Sequence, residues 1–138
     1  MGSWEHFEHE ADIGVRGYGR TMAEAFGQAA LAMTAIITDP AGIEPDTAVV
    51  ISRFETDPEL LFVDWLNGVV YEMSTRRMLF GRFELHIEEG RLEAQLFGES
   101  IDRQRHQPVV EVKGATYTEL KVAQTGDGGW LAQCVVDV

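Results

Sequence analysis

The sequence predicts an α+β fold, in which two helices pack on a largely antiparallel (mixed) β-sheet in one compact domain, residues 1–138. Two segments carry apolar residues at steps of three and four, as a helix with one buried face does. Several other segments alternate apolar and polar residues, as half-buried strands do. The length is that of a common single domain, and no repeat or long linker divides it.

The first helix is expected to begin after Thr21. Thr21 and Glu24 form a capping box, in which the side chain of each residue accepts a hydrogen bond from the free backbone N–H group of the other. The helix is expected to end at Asp39–Pro40, because the residue before proline avoids the α region. Its apolar face consists of Met22, Ala25, Phe26, Ala29, Met33, Ile36 and Ile37.

The second helix is expected to begin at Asp57. Asp57 is a preferred N-cap residue, Pro58 suits the first helical position, and Glu59 suits the positive end of the helix dipole. Arg76 and Arg77 suit the negative end, where we expect the helix to stop. Its apolar face consists of Leu61, Phe62, Trp65, Leu66, Val69 and Met73, which we interpret as core.

The remaining segments are predicted to be strands. The alternating apolar residues are Phe83, Leu85 and Ile87, then Leu92, Ala94 and Leu96, then Val110 and Val112, and then Leu120 and Val122. Glu89–Gly90 predicts a two-residue hairpin turn between the first two sets. In the last strand Trp130, Ala132, Cys134 and Val136 share one face. Side chains alternate along a strand, so Asp137 is expected on the other face.

Net charge limits the classes of partner. The chain has 23 acidic and 11 basic residues, for a net charge of −12, and such a surface repels phosphate backbones. We therefore expect no direct binding of nucleic acid. No apolar run reaches the ~20 residues that cross a bilayer, so no membrane partner is expected either. The lone Cys134 excludes an internal disulfide, suits a reducing cytoplasm and is interpreted as a core residue.

Acidic residues near the two ends of the chain are the first candidate site. Asp12 lies in His9-Glu10-Ala11-Asp12, and Asp137 precedes Val138, whose carboxylate or carbonyl oxygen is also available. If the fold brings these together, the oxygen ligands suit a hard cation such as Ca²⁺ or Mg²⁺. The alternative is that Asp137 is simply a solvated side chain. The four histidines have no zinc-type spacing, so a zinc site is not expected.

Two further segments are candidates for a second shell around the cation or for contact with a partner. One is the polar stretch Gly98–His106, in which Glu99, Asp102 and His106 are candidates to join a site or meet a partner. The other contains Lys113, within an apolar alternating segment. The alternative for both is an ordinary solvated surface. No nucleophile motif, P-loop or dinucleotide fingerprint is present, so no catalytic residue is assigned and an enzyme is not expected.

The ordered set of these segments resembles the archease family. The resemblance runs from His9 to Val138 and is carried by His9–Gly14, Thr21–Phe26 with Ala29–Ala30, Leu60–Leu61 with Trp65–Asn67, Gly98–Glu99 with Asp102 and His106, Glu111–Lys113 with Thr116–Tyr117, and Val136–Val138. Each segment alone is common, and the order makes the set specific.

The resemblance implies an accessory protein. Archeases promote guanylylation and multiple turnover of the GTP-dependent RNA ligase that joins tRNA exon halves and repairs RNA. The family binds a divalent cation, which implies Asp12, Asp137 and Val138 as ligands here. Ca²⁺ is the expected cation, with Mg²⁺ or Mn²⁺ as alternatives. His9, Asp102, His106 and Lys113 are then expected in the second shell or at the ligase contact.

Two other functions stay open at this point. One is a stand-alone metal-dependent hydrolase that uses His9, Asp12 and Asp137. The other is a general chaperone or binding module, which the net charge and a compact sheet permit. A pull-down separates the three, because only the archease resemblance predicts one dominant RNA-ligase partner.

Overall fold

A computed structural model describes residues 2–138, which form eight strands and three helices with one short 3₁₀ turn. The strands are β1 (Ser3–His9), β2 (Asp12–Gly19), β3 (Thr47–Phe54), β4 (Met78–Glu88), β5 (Arg91–Ser100), β6 (Gly114–Ala115), β7 (Lys121–Gln124) and β8 (Trp130–Asp137). The helices are α1 (Met22–Ile37), α2 (Pro58–Arg76) and the short α3 (Arg103–His106), and the 3₁₀ turn is Pro40–Gly42.

The strands form two sheets, and every pairing in them is antiparallel. The five-stranded sheet has the order β1-β2-β8-β6, with β7 also paired to β8, and the three-stranded sheet has the order β3-β5-β4. The predicted α+β class is therefore confirmed. The expected single, mixed sheet is divided into two purely antiparallel ones, because among the described residues β3, β4 and β5 pair only with one another.

Helix α1 packs against the inner face of the five-stranded sheet. The helix begins after Thr21 as predicted, and the Thr21 hydroxyl accepts a hydrogen bond from the Glu24 N–H at 3.0 Å. The Glu24 carboxylate accepts its hydrogen bond from the Arg20 N–H at 2.8 Å instead of from the predicted Thr21 N–H. The helix approaches β2 so closely that a Cβ on Gly17 would lie 2.1 Å from the Ala25 carbonyl oxygen. Glycine in the strand therefore makes this helix–sheet contact possible.

Helix α2 also has the predicted ends and the predicted core face. The Asp57 side chain accepts hydrogen bonds from the N–H groups of Glu59 and Leu60, and Arg77 follows the helix in the left-handed conformation. The predicted core residues Leu61, Phe62, Trp65, Leu66, Val69 and Met73 are all buried. Even the indole N–H of Trp65 is satisfied, because it donates to the Phe26 carbonyl at 3.0 Å.

The β4–β5 hairpin agrees with the sequence analysis, and the last strand agrees with it in part. Glu89 and Gly90 both have positive φ, as a two-residue hairpin turn requires. In β8, Cys134 and Val136 are fully buried, as predicted, and Asp137 is exposed, but Gln133 and Val135 on the other face are buried too, so burial does not alternate along this strand. Burial raises the pKa of the Cys134 thiol to about 12, as suits a core residue.

Two segments differ from the sequence prediction. Val110 and Val112 were predicted to lie in a strand, but residues 107–113 pair with no strand in the part of the chain that is described. The polar stretch after Gly98 was predicted to be irregular, but β5 continues to Ser100 and Arg103–His106 form a helical turn. None of the helices within residues 2–138 has the length and hydropathy needed to span a membrane.

Candidate metal centre

The turn that joins β1 to β2 brings the first candidate residues to one end of the five-stranded sheet. His9 lies opposite Asp12 across this turn, in which Glu10 takes a positive φ of 53°. On the other side of β2, Ile13 is paired with Val136. Continuing this antiparallel register by one residue sets Asp12 opposite Asp137. His9, Asp12 and Asp137 thus form one row across three strands, which we call the carboxylate row.

The side chains of the carboxylate row point away from the core. Val136 is fully buried beneath the sheet, so its neighbour Asp137 is directed to the outer face, where it is exposed. Asp12 and His9 are half-buried on the same face. Asp137 is fixed by its backbone, because β6 pairs with it at Gly114 and the Lys113 N–H donates to the Asp137 carbonyl at 2.8 Å.

Two carboxylates on opposite positions of neighbouring strands repel each other. Their Cβ atoms are expected ~4.5–5.5 Å apart, a distance at which like charges destabilise the sheet. Within residues 2–138, neither the Asp12 nor the Asp137 side chain has an ion pair or a hydrogen bond to the protein. A bound cation would remove this repulsion, and its oxygen ligands would be of the kind that Ca²⁺ and Mg²⁺ prefer.

The side chains of the row alone do not complete a metal site. No cluster of three or more His, Cys, Asp or Glu side chains placed to hold a metal ion is found among the described residues 2–138. The donor set therefore fits a hard cation only if a Val138 oxygen or water joins the two carboxylates. Val138 follows Asp137 directly and is half-buried, so its backbone oxygens lie at the same end of the sheet.

An aromatic ring supports the row from the next position along the strands. Phe7 lies opposite Gly14, and a Cβ on Gly14 would fall 2.2 Å from the Phe7 ring carbon Cζ. The Arg16 guanidinium lies over the same ring, 4.6 Å from its centroid. The ring thus covers the outer face where β2 has no side chain. Sequence reasoning did not identify this contact, because it depends on the β1–β2 register.

A charged network follows beyond the ring. The Glu5 carboxylate accepts hydrogen bonds from the Arg16 guanidinium at 2.6 Å and from the Tyr18 hydroxyl at 2.8 Å, and these bonds lower the pKa of Glu5. Arg16 also donates to the Gln133 side-chain oxygen at 2.7 Å, which ties β2 to β8. Side chains therefore cross-link the three neighbouring strands β1, β2 and β8 that carry the row.

A second acidic site centres on Glu99, in the three-stranded sheet. Its carboxylate pairs with the Arg105 guanidinium at 2.5 Å and with the buried His106 imidazole at 2.9 Å. It also accepts a hydrogen bond from the Glu44 N–H at 2.7 Å. The hydrogen bond from Arg105, aided by the one from Glu44, holds the pKa of Glu99 at about 2.

Asp102 and His106 belong to this second site. Asp102 caps helix α3, since its side chain accepts hydrogen bonds from the N–H groups of Gln104 and Arg105. The backbone N–H of Asp102 donates to Nδ1 of His106 at 2.9 Å, so Nε2 carries the proton that is donated to Glu99. We call Glu99, Asp102, Arg105 and His106 the Glu99 cluster. No hydrogen bond joins it to the carboxylate row within residues 2–138.

Lys113 contacts the row by its backbone alone. Its N–H donates to Asp137, as described above, while the lysine residue is exposed and its ammonium group is in no ion pair within residues 2–138. The position of Lys113 therefore fits the alternative of an ordinary solvated surface residue. Its ammonium group is also available for contact with a partner protein.

Comparison with known families decides where the chain belongs. The profile of the Archease protein family (MTH1598/TM1083) matches residues 4–138, which is nearly the whole chain. The chain belongs to the archease family. Protein archease of Pyrococcus furiosus is 39% identical over 142 residues, covering 100% of both chains. That of Thermococcus gammatolerans is 37% identical, again over the full length of both.

Two solved structures share the archease fold. The solution structure of Methanobacterium thermoautotrophicum protein 1598 matches with a TM-score of 0.87, 28% identity and coverage of 99% of both chains. The crystal structure of a Thermotoga maritima archease, described as a possible chaperone, matches with a TM-score of 0.62 and 22% identity, covering 97% of this chain and 96% of that one. None of these names describes a catalytic activity.

Proposed function

We propose that this archease activates a GTP-dependent RNA-splicing ligase by promoting its guanylylation and multiple turnover, using a divalent cation bound at the carboxylate row. The observation that carries the proposal is the alignment of Asp12 and Asp137 on neighbouring strands of one exposed face. Membership of the archease family supports the accessory role. The residues of the row make the cation site specific enough to test.

The charge of the chain supports a protein partner over an RNA partner. A ligase that holds RNA needs a basic groove, and a chain of net charge −12 is attracted to such a surface. RNA itself is repelled by the same charge. The archease is therefore expected to contact the ligase near the groove without binding the RNA.

Each residue of the row has a distinct task in this proposal. Asp12 and Asp137 would hold the cation together with a Val138 oxygen, and Ca²⁺ is the first expectation, with Mg²⁺ or Mn²⁺ as alternatives. When bound, the cation supplies positive charge that can be offered to phosphate or carboxylate groups at the ligase active site. His9, opposite Asp12, would orient that carboxylate from the second shell.

Ligase turnover tests this function directly. Asp12→Asn and Asp137→Asn are compared with Glu8→Gln, a matched control on the same hairpin. Glu8 pairs with Ile13, so its exposed side chain lies on the opposite face from His9. We expect the two aspartate variants to stimulate few turnovers beyond the first, and the control to stimulate normally. If both aspartate variants fold and stimulate the ligase normally, the carboxylate row is not needed for ligase activation.

A further inference from the structure

One groove of the molecule is lined mainly by apolar side chains. It has a volume of about 560 Å³ and runs between the C-terminal end of α2, the start of β4 and the segment Pro108–Val112. Its apolar lining includes Ile37, Val70, Met73, Met78 and Ile101. The function proposed above makes no use of this groove.

The segment Pro108–Val112 forms one wall of the groove and has an unusual backbone. Exposure alternates along it, with Val109 and Glu111 exposed and Val110 and Val112 more buried, as in an extended strand. The segment nevertheless lies in no sheet. Within residues 2–138, the N–H groups of Val110, Glu111 and Val112 and all five carbonyls of the segment have no hydrogen-bond partner.

One edge of this segment is partly bonded to the protein, and the other edge is not bonded within residues 2–138. The N–H of Val109 donates to the Ile37 carbonyl at 3.0 Å, and the N–H of Lys113 donates to Asp137, so these odd-numbered residues bond the protein itself. Alternate residues of an extended chain direct their N–H and C=O groups to opposite edges. The N–H and C=O groups of Val110 and Val112 are thus directed to the free edge.

The charges at the groove suit an acidic occupant. Of nine arginines, Arg77, Arg91 and Arg103 are in no ion pair within residues 2–138, and two of these three line the groove. Glu111 is the only acidic residue of the lining among those residues. Although the chain has 23 acidic residues, the side chains that line the groove therefore carry a net positive charge.

We propose that the groove binds an extended segment of a partner protein, which adds as a strand to the free edge of Val110 and Val112. The apolar lining would take its alternate side chains, and Arg77 and Arg103 would pair with an acidic side chain. A segment of five residues in extended form spans ~17 Å, so the recognised element is short. Strand addition gains affinity from backbone hydrogen bonds and specificity from alternate side chains. The proposal does not depend on the ligase or on the cation.

A peptide selection followed by NMR tests the proposal. A random heptapeptide display library is selected on the full chain, and the most enriched peptide is titrated into ¹⁵N-labelled protein. We expect enriched sequences that alternate apolar residues with Asp or Glu. We also expect shifts at residues 109–112 and slowed exchange of the Val110 and Val112 amides. A library without enrichment, or a peptide that perturbs another surface, would overturn the proposal.

Two controls separate strand addition from simple charge attraction. Arg77→Gln with Arg103→Gln should weaken the peptide about tenfold, whereas Arg91→Gln, an arginine on β5 that does not line this groove, should leave the affinity unchanged. N-methylation of alternate peptide amides should also weaken binding about tenfold while the protein stays unaltered. Equal binding of the methylated peptide contradicts strand addition. If acetate binds as tightly as the peptide, the occupant of the groove is not a peptide. If residues 109–112 join two copies of the chain in a dimer, the occupant is not a separate partner.

Discussion

The carboxylate row and the Glu99 cluster contain the same residue types, but within residues 2–138 only the side-chain carboxylates of the Glu99 cluster have hydrogen-bond or ion-pair partners. Each combines carboxylates with a histidine next to a strand end. In the Glu99 cluster the protein supplies every partner, namely the Arg105 guanidinium, the His106 imidazole and the Glu44 N–H. In the row, Asp12 and Asp137 lie opposite each other and no side chain within residues 2–138 neutralises them.

This difference distinguishes a structural acid from a candidate ligand. A carboxylate whose acceptor sites are all used by the protein stabilises the fold and has little capacity left for a metal. Opposed carboxylates without partners make the fold less stable until something positive binds between them. We therefore assign the Glu99 cluster to structure and propose the row as the binding site, although the sequence alone made both candidates.

The largest effect is expected from neutralising the row. In the double variant Asp12→Asn with Asp137→Asn, Ca²⁺ should no longer raise the melting temperature, because both charged ligands are gone. Without Ca²⁺, the free energy of unfolding should be unchanged or higher by about 0.2–1 kcal/mol, since a like-charge repulsion has been removed. Thermal denaturation with and without Ca²⁺ measures both.

Glu8→Gln is the control for this experiment, because it removes one charge from the same hairpin on the other face. It should keep the Ca²⁺-dependent rise. A double variant that still gains stability from Ca²⁺ would remove Asp12 and Asp137 from the site. A large loss of stability without Ca²⁺ would show that the two carboxylates are structural, like Glu99.

An intermediate effect is expected from Glu99→Gln, and it should depend on pH. The folded-state pKa of Glu99 is about 2, below its ordinary value of 4.5. Its ionised form therefore stabilises the fold fully above about pH 4.5, and this contribution is lost as the pH falls towards about 2. The variant should melt below the unaltered protein at neutral pH, and the gap should close over that window. Ca²⁺ should stabilise both proteins equally, and a Ca²⁺ response that disappears in the variant would overturn our assignment.

The smallest effect is expected from His9→Gln. His9 lies beside Asp12 and is proposed to orient a ligand rather than to be one. Loss of such an outer contact typically costs about tenfold in metal affinity. Calorimetric titration of Ca²⁺ measures the change. Complete loss of Ca²⁺ binding would indicate that His9 is a direct ligand. An unchanged Ca²⁺ affinity would indicate that His9 has no part in the site.

The parts of the fold that the sequence predicts best are those fixed by local chemistry. The Thr21 N-cap, the Asp57–Pro58 helix start and the Glu89–Gly90 turn each act over a few residues, and all three are confirmed, although Glu24 bonds the Arg20 N–H and not that of Thr21. Alternation also placed Asp137 on the outer face, because it depends only on the strand that contains it.

The parts that were missed depend on pairing over long distances. Val110 and Val112 alternate as a strand does, yet no partner strand reaches them, and alternation carries no information about partners. The Phe7 ring over Gly14 and the pairs of Arg16 with Glu5 and Gln133 follow from register across three strands. The opposition of Asp12 and Asp137 also needs this register, so only the resemblance to archeases indicated it in advance.

The central claim is that the carboxylate row binds a divalent cation and the Glu99 cluster does not. Crystals of the protein soaked in Mn²⁺ and measured at the manganese edge test it most directly. We expect one anomalous peak between Asp12 and Asp137, within bonding distance of a Val138 oxygen, and none beside Glu99. A peak at the Glu99 cluster, or the absence of any peak at the row, would contradict it.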